Sequence, residues 1–322
     1  MKYLQYYSLI KKYIKNRTFI STMSEVENVK RVKLDQFPAL LRGCVHMRNK
    51  EHVENLINEL VKGGAEKLQF ISDFDQTMTK QHMNGQRCLS SFGVFGHCPQ
   101  LPQNYREQSQ ALFNQYRPIE IDPEMSVEEK IPHMVEWYEK AQDLLTGFPL
   151  PQTHLDNVMH NICLELRNGT VNLLSHLNKA DVPMLVFSAG LGDMVAAILR
   201  YHSALLPNVH IISNFLQYDG DTLCGFKGQI IHTFNKNEHA IENSDYFSLL
   251  TGRSNVILLG DSEGDARMAE GVKDSNAVLK IGFLYERVEE SLNTYLDIYD
   301  IVLVDDQTMD VPNQLLDVIF KI

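Results

Sequence analysis

The sequence lacks an excess of basic residues, paired cysteines and long apolar runs. Its formal net charge of −11 over 322 residues excludes a broad nucleic-acid surface, because such a surface needs many lysines and arginines against phosphates. No apolar run approaches the ~20 residues that a membrane-spanning helix requires. The five cysteines form no CxxC pair and no zinc-ligand spacing, and an odd number without a secretory signal predicts reduced thiols. We therefore expect a cytoplasmic monomer that binds neither a nucleic acid polymer nor a membrane.

Acidic residues are absent from the first 24 residues, which carry four lysines and one arginine. Such a stretch is typical of a mitochondrial presequence or of a basic helix on a membrane surface. The alternative is an extension ahead of an internal start at Met23, and the scarcity of arginine favours it over a presequence. We assign residues 1–32 to an N-terminal extension and expect it to be poorly ordered.

Short apolar runs that end in small or acidic residues recur along the chain. Continuous runs of this kind are typical of buried strands in a parallel sheet whose strands alternate with helices. Three of them end at Asp73, Ser188 and Asp261, and ligands of open α/β sheets bind at the carboxyl edge. The sequence therefore predicts an α/β fold with a site at these strand ends. The six predicted strands are residues 68–71, 184–187, 209–212, 256–259, 278–281 and 301–304.

Residues 80–170 interrupt this alternation. They begin with a stretch rich in glycine and proline turns, and apolar residues then recur at helical spacing over residues 128–145. We interpret this insertion after the first predicted strand as a mostly helical cap over the site. Residues 33–79 and 171–322 then form the core.

The strongest motif is Asp73-Phe74-Asp75-Gln76-Thr77, directly after the first predicted strand. With both carboxylates over one pocket, Asp73 can attack a phosphorus atom while Asp75 protonates the leaving oxygen and later activates water. An Asx-rich turn and the DxD metal motif of some glycosyltransferases are the alternatives. Later features of the chain favour phosphoryl transfer.

Three later features complete a predicted phosphate site. Ser188 ends a strand and precedes a helix start, where a hydroxyl beside free backbone N–H groups can cradle phosphate. Lys236 supplies a point charge for phosphate oxygens. Asp261 and Asp265, four residues apart at a strand-to-helix turn, suit Mg²⁺, with Asp265 holding the metal's water shell or orienting Lys236. Taken singly, Ser188 and Asp261 are equally compatible with helix caps, and Lys236 with a solvated surface group.

Together and in this order, these motifs resemble the haloacid dehalogenase superfamily, and the second aspartate is typical of its phosphatases. The resemblance implies a Rossmann-like α/β core with a helical cap inserted after the first strand. Over residues 33–320 the chain looks like the cytosolic 5′-nucleotidase III family, whose members include a pyrimidine nucleotidase and a 7-methylguanosine-phosphate-specific nucleotidase. The segments that carry this likeness include SDFDQTMTK, SSFGVFGHC, FSAGLGD, LLGDSEGDARMAEGV and DIVLVDDQTMDVP.

The resemblance implies roles for individual residues. Asp73 would be the covalent nucleophile and Asp75 the proton donor. Mg²⁺ would be held by Asp73, the Asp75 backbone carbonyl and Asp261, with Asp265 in support. Glu120 would bind the base. The residues implied to bind the phosphate are Ser188, Ala189 and Lys236.

The implied reaction is hydrolysis of nucleoside 5′-monophosphates, with 7-methyl-GMP and CMP preferred, through an aspartyl-phosphate. The first alternative is a pyrimidine-preferring nucleotidase with phosphotransferase activity, or a phosphomutase. The second alternative, from a different class, is a catalytically silent nucleotide-binding regulator. The intact pair of Asp73 and Asp75 argues against such a regulator, since a protein that only binds nucleotides would not need both carboxylates.

The base pocket is predicted from Glu120 and the aromatic residues of the cap. N7-methylated guanine carries a positive charge and a large π-face, so a carboxylate and aromatic rings suit it. Trp137 and Tyr138 diverge by ~100° as helix neighbours. We therefore expect only Trp137 to face the ligand and Tyr138 to lie in the cap core. Phe92 and Phe95 are candidates for the opposite face of a sandwich.

Two departures from the family pattern concern the base. Ala141 stands where several members carry serine, so any hydroxyl contact from that serine to the base is absent. Tyr138 stands where some 7-methylguanosine-directed members have a second tryptophan. The sequence therefore leaves the preference between methylguanine and pyrimidine open.

Overall fold

A computed structural model describes residues 31–122, 124–159, 162, 164–236, 246, 249–270, 272 and 275–321. The expectation of a poorly ordered N-terminal extension concerns residues that lie, apart from 31 and 32, outside these ranges. Within the described ranges, no helix is both long and apolar enough to cross a membrane.

The chain folds around a seven-stranded sheet with the strand order β1-β11-β10-β9-β2-β5-β6. Neighbouring strands are parallel, except that β1 at one edge runs antiparallel to β11. Two further pairs, β3-β4 and β7-β8, form antiparallel hairpins. The described strands are β1 (Val45–His46), β2 (Leu68–Ser72), β3 (His82–Met83), β4 (Gln86–Arg87), β5 (Met184–Leu191), β6 (Val209–Asn214), β7 (Leu216–Asp219), β8 (Thr222–Phe226), β9 (Asn255–Gly260), β10 (Ala277–Leu284) and β11 (Ile301–Val304).

The six predicted strands are all present, as β2, β5, β6, β9, β10 and β11. β9 is the central strand of the sheet and β2 lies beside it, and every residue of both strands is buried. Both faces of these strands are covered, which explains why apolar residues dominate them. β5 extends past its predicted end to Leu191, with a register shift between Phe187 and Leu191. β1 has no counterpart among the predicted strands, because two residues carry no periodic pattern.

Single α-helices connect β1 to β2, β5 to β6 and β10 to β11, as the predicted alternation requires. α4 begins where the Ser126 hydroxyl accepts from the backbone N–H of Glu129, and the Glu129 side chain completes a capping box. The described α-helices are α1 (Lys50–Lys67), α2 (Ser91–Phe95), α3 (Tyr105–Glu120), α4 (Val127–Leu145), α5 (Leu155–Val158), α6 (Thr170–Lys179), α7 (Gly192–Tyr201), α8 (Val288–Ile298) and α9 (Asp310–Ile319).

The insertion between β2 and β5 contains the β3-β4 hairpin and helices α2 to α5. It is bound to the β7-β8 hairpin, which follows β6 in the chain. Leu223 exchanges backbone hydrogen bonds with residues 147 and 148, and Gln142 Oε1 accepts from the Phe226 N–H at 3.1 Å. A hairpin that the sequence assigns to the core therefore supports the predicted cap. The division into residues 33–79, 80–170 and 171–322 stays a prediction.

Candidate active site

The loop after β2 carries two aspartates and is held by a buried arginine. Asp73 directly follows β2, and its backbone N–H donates to a β9 carbonyl at 3.0 Å. Gln76 adopts a positive φ of 65°, which is uncommon for a residue other than glycine. Arg167, which is 1% exposed, donates to the carbonyls of Gln76 and Thr77 at 2.5 and 2.8 Å. The arginine therefore fixes the turn in which Asp73 and Asp75 lie.

Ser91 binds both carboxylate oxygens of Asp75. Its backbone N–H and its hydroxyl donate to Asp75 Oδ1 and Oδ2, each at 2.7 Å. Ser91 is the first residue of α2, so its N–H has no partner within the helix. Burial raises the pKa of Asp75 to about 6, although both hydrogen bonds from Ser91 lower it. A carboxyl with this pKa suits a general acid that later acts as a base.

Asp75 lies against the backbone of Gly190. A Cβ on Gly190 would stand 2.7 Å from Asp75 Oδ2 and 2.2 Å from Ser91 Oγ, so a larger residue does not fit here. Ser188 Oγ accepts from the Gly190 N–H at 2.9 Å, and Ser91 Oγ accepts from the Leu191 N–H at 3.0 Å. The end of β5 and the start of α2 thus form one hydrogen-bond network around Asp75.

Ser188 and Ala189, two of the predicted phosphate-binding residues, lie in the last part of β5. Both line a cavity of 510 Å³ that Asp73, Asp75 and Lys236 also line. Ser188 is 1% exposed. The Ala189 carbonyl accepts from a side-chain amide at the end of β6 at 2.9 Å. The structure therefore brings these predicted residues together at the carboxyl edge of the sheet.

Lys236 is buried between two carboxylates. Its Nζ donates to Asp73 Oδ1 at 2.7 Å and forms an ion pair with Asp265 Oδ1. Burial lowers the pKa of Lys236, but the two carboxylates raise it by more, so that the net shift is upward. The lysine is therefore cationic at neutral pH. Asp265 is predicted either to hold the water shell of the metal or to orient Lys236, and the structure shows its contact with Lys236.

Asp265 also organises the loop after β9. Its Oδ2 accepts from the backbone N–H groups of Asp261 and Ser262, at 3.1 and 2.9 Å, and from the Ser262 hydroxyl at 2.7 Å. Tyr295 donates to the Asp261 carbonyl at 2.5 Å. Thr77, in the loop after β2, donates to Asp261 Oδ1 at 3.1 Å. The position of Asp261 is therefore fixed by contacts from three parts of the chain.

Asp73, Asp261 and Asp265 form an acidic cluster that could hold a cation. One carboxylate oxygen from each lies within 4.8 Å of the others. Burial raises the pKa of Asp73 well above its ordinary value, although Lys236 lowers it. Burial and the neighbouring Asp265 raise the pKa of Asp261 to about 7. One lysine does not balance three carboxylates in this buried place, whereas a divalent cation with oxygen ligands would, and the donor set fits Mg²⁺.

Glu120 ends α3 and lines the same cavity, with both of its carboxylate oxygens in hydrogen bonds. Oε2 accepts from Arg117 Nη1 at 2.6 Å, and Oε1 accepts from the Thr233 hydroxyl. Burial raises the pKa of Glu120, but Arg117 and Thr233 lower it by more, so that the net shift is downward. Glu120 is therefore ionised at neutral pH, and part of its charge is balanced by Arg117.

The aromatic wall of the cavity differs from the prediction at two positions. Trp137 lines the cavity, as expected, and lies nearly parallel to Tyr116, with centroids 5.8 Å apart and an interplanar angle of 14°. Tyr138 also lines the cavity, so its assignment to the cap core is wrong: the cavity is wide enough to reach two adjacent residues of α4. Phe92 lines the cavity and meets Tyr138 edge to face at 6.1 Å. Of the two candidates for the opposite face, the structure places Phe92 at the cavity, whereas Phe95 is fully buried and does not line it.

Sequence reasoning missed three contacting residues of the site, namely Ser91, Arg167 and Thr233. Ser91 is one of two adjacent serines in the segment SSFGVFGHC, Thr233 lies three residues before Lys236, and Arg167 belongs to no recognisable motif. Only the fold brings them to their partners: Ser91 is 16 residues from Asp75 in the chain, and Thr233 is 113 residues from Glu120. Contacts at such separations follow from tertiary structure and not from local pattern.

The chain is similar to known proteins over most of its length. The family model described as pyrimidine 5′-nucleotidase (UMPH-1) matches residues 76–320. A Drosophila melanogaster relative named 7-methylguanosine phosphate-specific 5′-nucleotidase is 46% identical over 293 residues, which cover 90% of this chain and 92% of that protein. The Homo sapiens relative of the same name is 44% identical over 283 residues, covering 88% of this chain and 94% of that protein.

A solved structure shares the fold. It is described as cytosolic 5′-nucleotidase IIIB bound to cytidine, and it matches with a TM-score of 0.85 at 46% identity, covering 90% of this chain and 98% of that one. This likeness confirms the predicted α/β core. Since the family model covers most of the chain and relatives above 40% identity span nearly all of it, the chain belongs to the pyrimidine 5′-nucleotidase (UMPH-1) family, in agreement with the resemblance seen in its sequence.

Proposed function

We propose that this protein hydrolyses nucleoside 5′-monophosphates to nucleoside and phosphate, with 7-methyl-GMP and CMP preferred. The observation that carries the proposal is a single cavity lined by Asp73, Asp75, Lys236, Glu120 and Trp137. Groups for phosphate chemistry and groups for base recognition can therefore act on one nucleotide. The names of the relatives support the same activity.

The first step is attack by Asp73. Its carboxylate oxygen bonds to phosphorus, the bond from phosphorus to the nucleoside 5′-oxygen breaks, and Asp75 donates its proton to that oxygen. With its pKa raised to about 6, Asp75 keeps a protonated fraction near neutral pH. Lys236 stays beside Asp73, at 2.7 Å, and offsets negative charge on the phosphate oxygens. The products are an aspartyl-phosphate and the nucleoside.

The second step releases phosphate. Asp75, now ionised, takes a proton from water, and the resulting hydroxide attacks phosphorus as the bond to Asp73 breaks. Phosphate leaves, and both aspartates return to their starting protonation states. Ser91 holds the Asp75 carboxylate by both oxygens, which keeps it aimed at one place through both proton transfers. Ser188 and Ala189 bind the phosphate from the end of β5.

Mg²⁺ is the ion that the acidic cluster fits best, and we propose Asp73, Asp261 and the Asp75 backbone carbonyl as its ligands. The Asp75 side chain is bound to Ser91, which leaves its carbonyl for this role. Asp265 supports the site by holding Lys236 and the loop of Asp261. When bound, the ion supplies charge neutralisation at the phosphate oxygens.

The base preference rests on charge and aromatic area. Glu120 is ionised, and Trp137, Tyr138 and Phe92 line the same cavity. A cationic methylguanine gains from the carboxylate and from the rings, by about 1–2 kcal/mol for a desolvated cation–π contact. Neutral GMP has nearly the same shape without that gain. CMP offers Glu120 an exocyclic amine as a hydrogen-bond donor.

A panel of nucleotides tests this function. Phosphate release from 7-methyl-GMP, CMP, UMP, GMP and AMP is measured as kcat/KM with Mg²⁺ present. We expect 7-methyl-GMP and CMP to exceed GMP and AMP by about 10- to 200-fold, the range for discrimination by a single feature. Equal use of GMP and 7-methyl-GMP would remove the charge argument, and no release from any nucleotide would refute the proposal.

A pyrimidine-preferring nucleotidase with phosphotransferase activity is the second candidate. The description of the matching family model and the cytidine in the similar solved structure favour it. Ala141 lines the cavity without a hydroxyl for the base. Adding a nucleoside acceptor separates the two: a transferase forms a new nucleoside monophosphate, whereas a hydrolase releases only phosphate.

We propose a cytoplasmic location for this protein. The word cytosolic in the description of the similar solved structure supports it. The monomeric state stays a prediction.

A further inference from the structure

Glu286 lies outside the predicted site but is joined to it by ion pairs. It follows β10, and its side chain is 35% exposed. Oε2 accepts from Arg117 Nη2 at 3.4 Å, and Oε1 pairs with Arg87 Nη1 at 2.9 Å. Arg117 in turn binds Glu120 at 2.6 Å. A continuous chain of four alternating charges therefore runs from Arg87 at the end of β4, through Glu286 and Arg117, to Glu120, the carboxylate proposed to bind the base.

The same chain of charges reaches the aromatic wall. The guanidinium carbon of Arg87 lies 5.5 Å from the ring centroid of Phe113. Phe113 meets Trp137 at a centroid distance of 6.1 Å and an angle of 66°. Arg87, Phe113 and Trp137 all line the cavity. Glu286 thus contacts, through two arginines, both the charged part and the aromatic part of the base pocket.

The backbone around Glu286 is well fixed. The Leu284 carbonyl accepts from the Asp305 N–H at 2.9 Å. Tyr285 stacks on His82 of β3, with centroids 4.2 Å apart and an angle of 24°. The β3-β4 hairpin, which ends in Arg87, is therefore bound to this segment at two adjacent residues. A carboxylate on such a support can hold two arginines in fixed positions.

We propose that Glu286 is a positioning residue that sets the charge of the base pocket and thereby its preference for a cationic base. Glu120 and Glu286 carry two negative charges, and Arg87 and Arg117 carry two positive ones, so the group is neutral as a whole. Removing the charge of Glu286 leaves the group of four residues with a net positive charge. Arg117 then pairs only with Glu120 and neutralises more of its charge. Both effects disfavour a cationic methylguanine and leave neutral cytosine nearly unaffected. This inference rests on the proposed nucleotidase function.

The test uses three variants whose charges differ and measures the ratio of kcat/KM for 7-methyl-GMP to that for CMP. In Glu286→Gln, we expect the ratio to fall about two- to fivefold, the range for a partly exposed ion pair. Arg87→Gln leaves the group with a net negative charge, and in this variant we expect the ratio to rise. The double variant restores neutrality, and we expect its ratio to return towards that of the wild type. Salt should reduce all of these differences, because the group is partly exposed.

A merely structural role gives a different result. If Glu286 only ties two segments together, both single variants loosen the pocket, the ratio moves in the same direction in both, and the double variant is not restored. Glu290→Gln is the matched control, since Glu290 also pairs with an arginine, Arg287, at an exposed place outside the cavity. Its ratio should equal that of the wild type.

Two failures can be told apart. A wild-type protein that turns over neither nucleotide refutes the proposed function itself. A wild-type protein that turns over both, with the same ratio in Glu286→Gln and Arg87→Gln as in the wild type, overturns the role of Glu286 alone. Thermal unfolding of each variant shows whether the fold is kept, and comparing two substrates on one variant cancels any loss of active protein.

Discussion

The carboxyl edge of the sheet and the cap-side wall of the cavity are built in opposite ways. At the edge, Asp73 and Asp261 each follow a buried parallel strand, Ser188 lies in the last part of another, and the strand order places β9, β2 and β5 side by side. At the wall, Glu120 and Trp137 come from two helices of the insertion, α3 and α4. Their side-chain partners are Arg117, Tyr116 and Phe113 of α3 and Thr233 from a segment more than 100 residues away in the chain. The edge is therefore fixed by the sheet, whereas the wall is fixed by side-chain contacts.

This difference separates the chemistry from its selectivity. In the proposed mechanism, groups at the edge act on the phosphate, which every nucleotide shares, so a change there should slow all substrates alike. The groups at the wall are proposed to bind the base, so a change there should alter the ratio between substrates. Mutant kinetics can distinguish the two, because a loss confined to the transition state lowers kcat and kcat/KM together.

The largest effect short of abolition is expected at the general acid. Asp75→Asn should lower kcat by about 10²- to 10⁴-fold, and by the same factor for 7-methyl-GMP and CMP. The amide cannot donate a proton to the 5′-oxygen or take one from water. Steady-state rates on both nucleotides check this. A loss below fivefold would show that another group moves the proton.

The next effect concerns the acidic cluster. Asp261→Ala should raise the Mg²⁺ concentration needed for half-maximal activity by about 10- to 100-fold, again for every nucleotide. Asp219→Ala, at an exposed position of β7, is the matched control and should leave the requirement unchanged. An unaltered requirement in Asp261→Ala would mean that Asp261 only caps the turn after β9.

A change in the wall should act on the ratio instead. Trp137→Ala should reduce kcat/KM for 7-methyl-GMP by about tenfold, a value within the range for one cation–π contact, and reduce that for CMP less. The smaller neutral base gains less from the ring. Trp137→Phe keeps an aromatic face and should recover part of the ratio. Equal losses for both nucleotides would show that Trp137 only stabilises its contacts with Tyr116 and Phe113.

The smallest effect is a shift in pH dependence. Burial raises the pKa of Asp75 to about 6, and Ser91 opposes that rise. The first step needs protonated Asp75, so kcat/KM should fall as pH rises through this pKa. Ser91→Ala removes a hydrogen bond to the carboxylate, raises its pKa further and moves this limb to higher pH. Ser90→Ala, which removes only the helix cap on Gly93, should not move it. A shift to lower pH in Ser91→Ala would contradict the assignment of Asp75 as the acid.

How much the sequence could predict follows the same division. Asp73, Ser188 and Asp261 could be found because a buried parallel strand has a recognisable pattern and its end has a known function. Asp265 and Lys236 could be found from family motifs. Tyr138 is placed wrongly by the sequence, because helical periodicity shows which side of a helix is apolar but not whether core or cavity lies against it. Ser91, Arg167 and Thr233 could not be found, since their partners are distant in the chain.

The most direct measurement is phosphate release by Asp73→Asn. The amide is a poor nucleophile and a weaker metal ligand, while its size is nearly that of the carboxylate, so the fold should remain. With saturating Mg²⁺, the account predicts that the wild type releases phosphate from 7-methyl-GMP and CMP and that the folded variant releases none from either. Release at the wild-type rate by a folded, Mg²⁺-saturated Asp73→Asn protein would contradict the covalent mechanism.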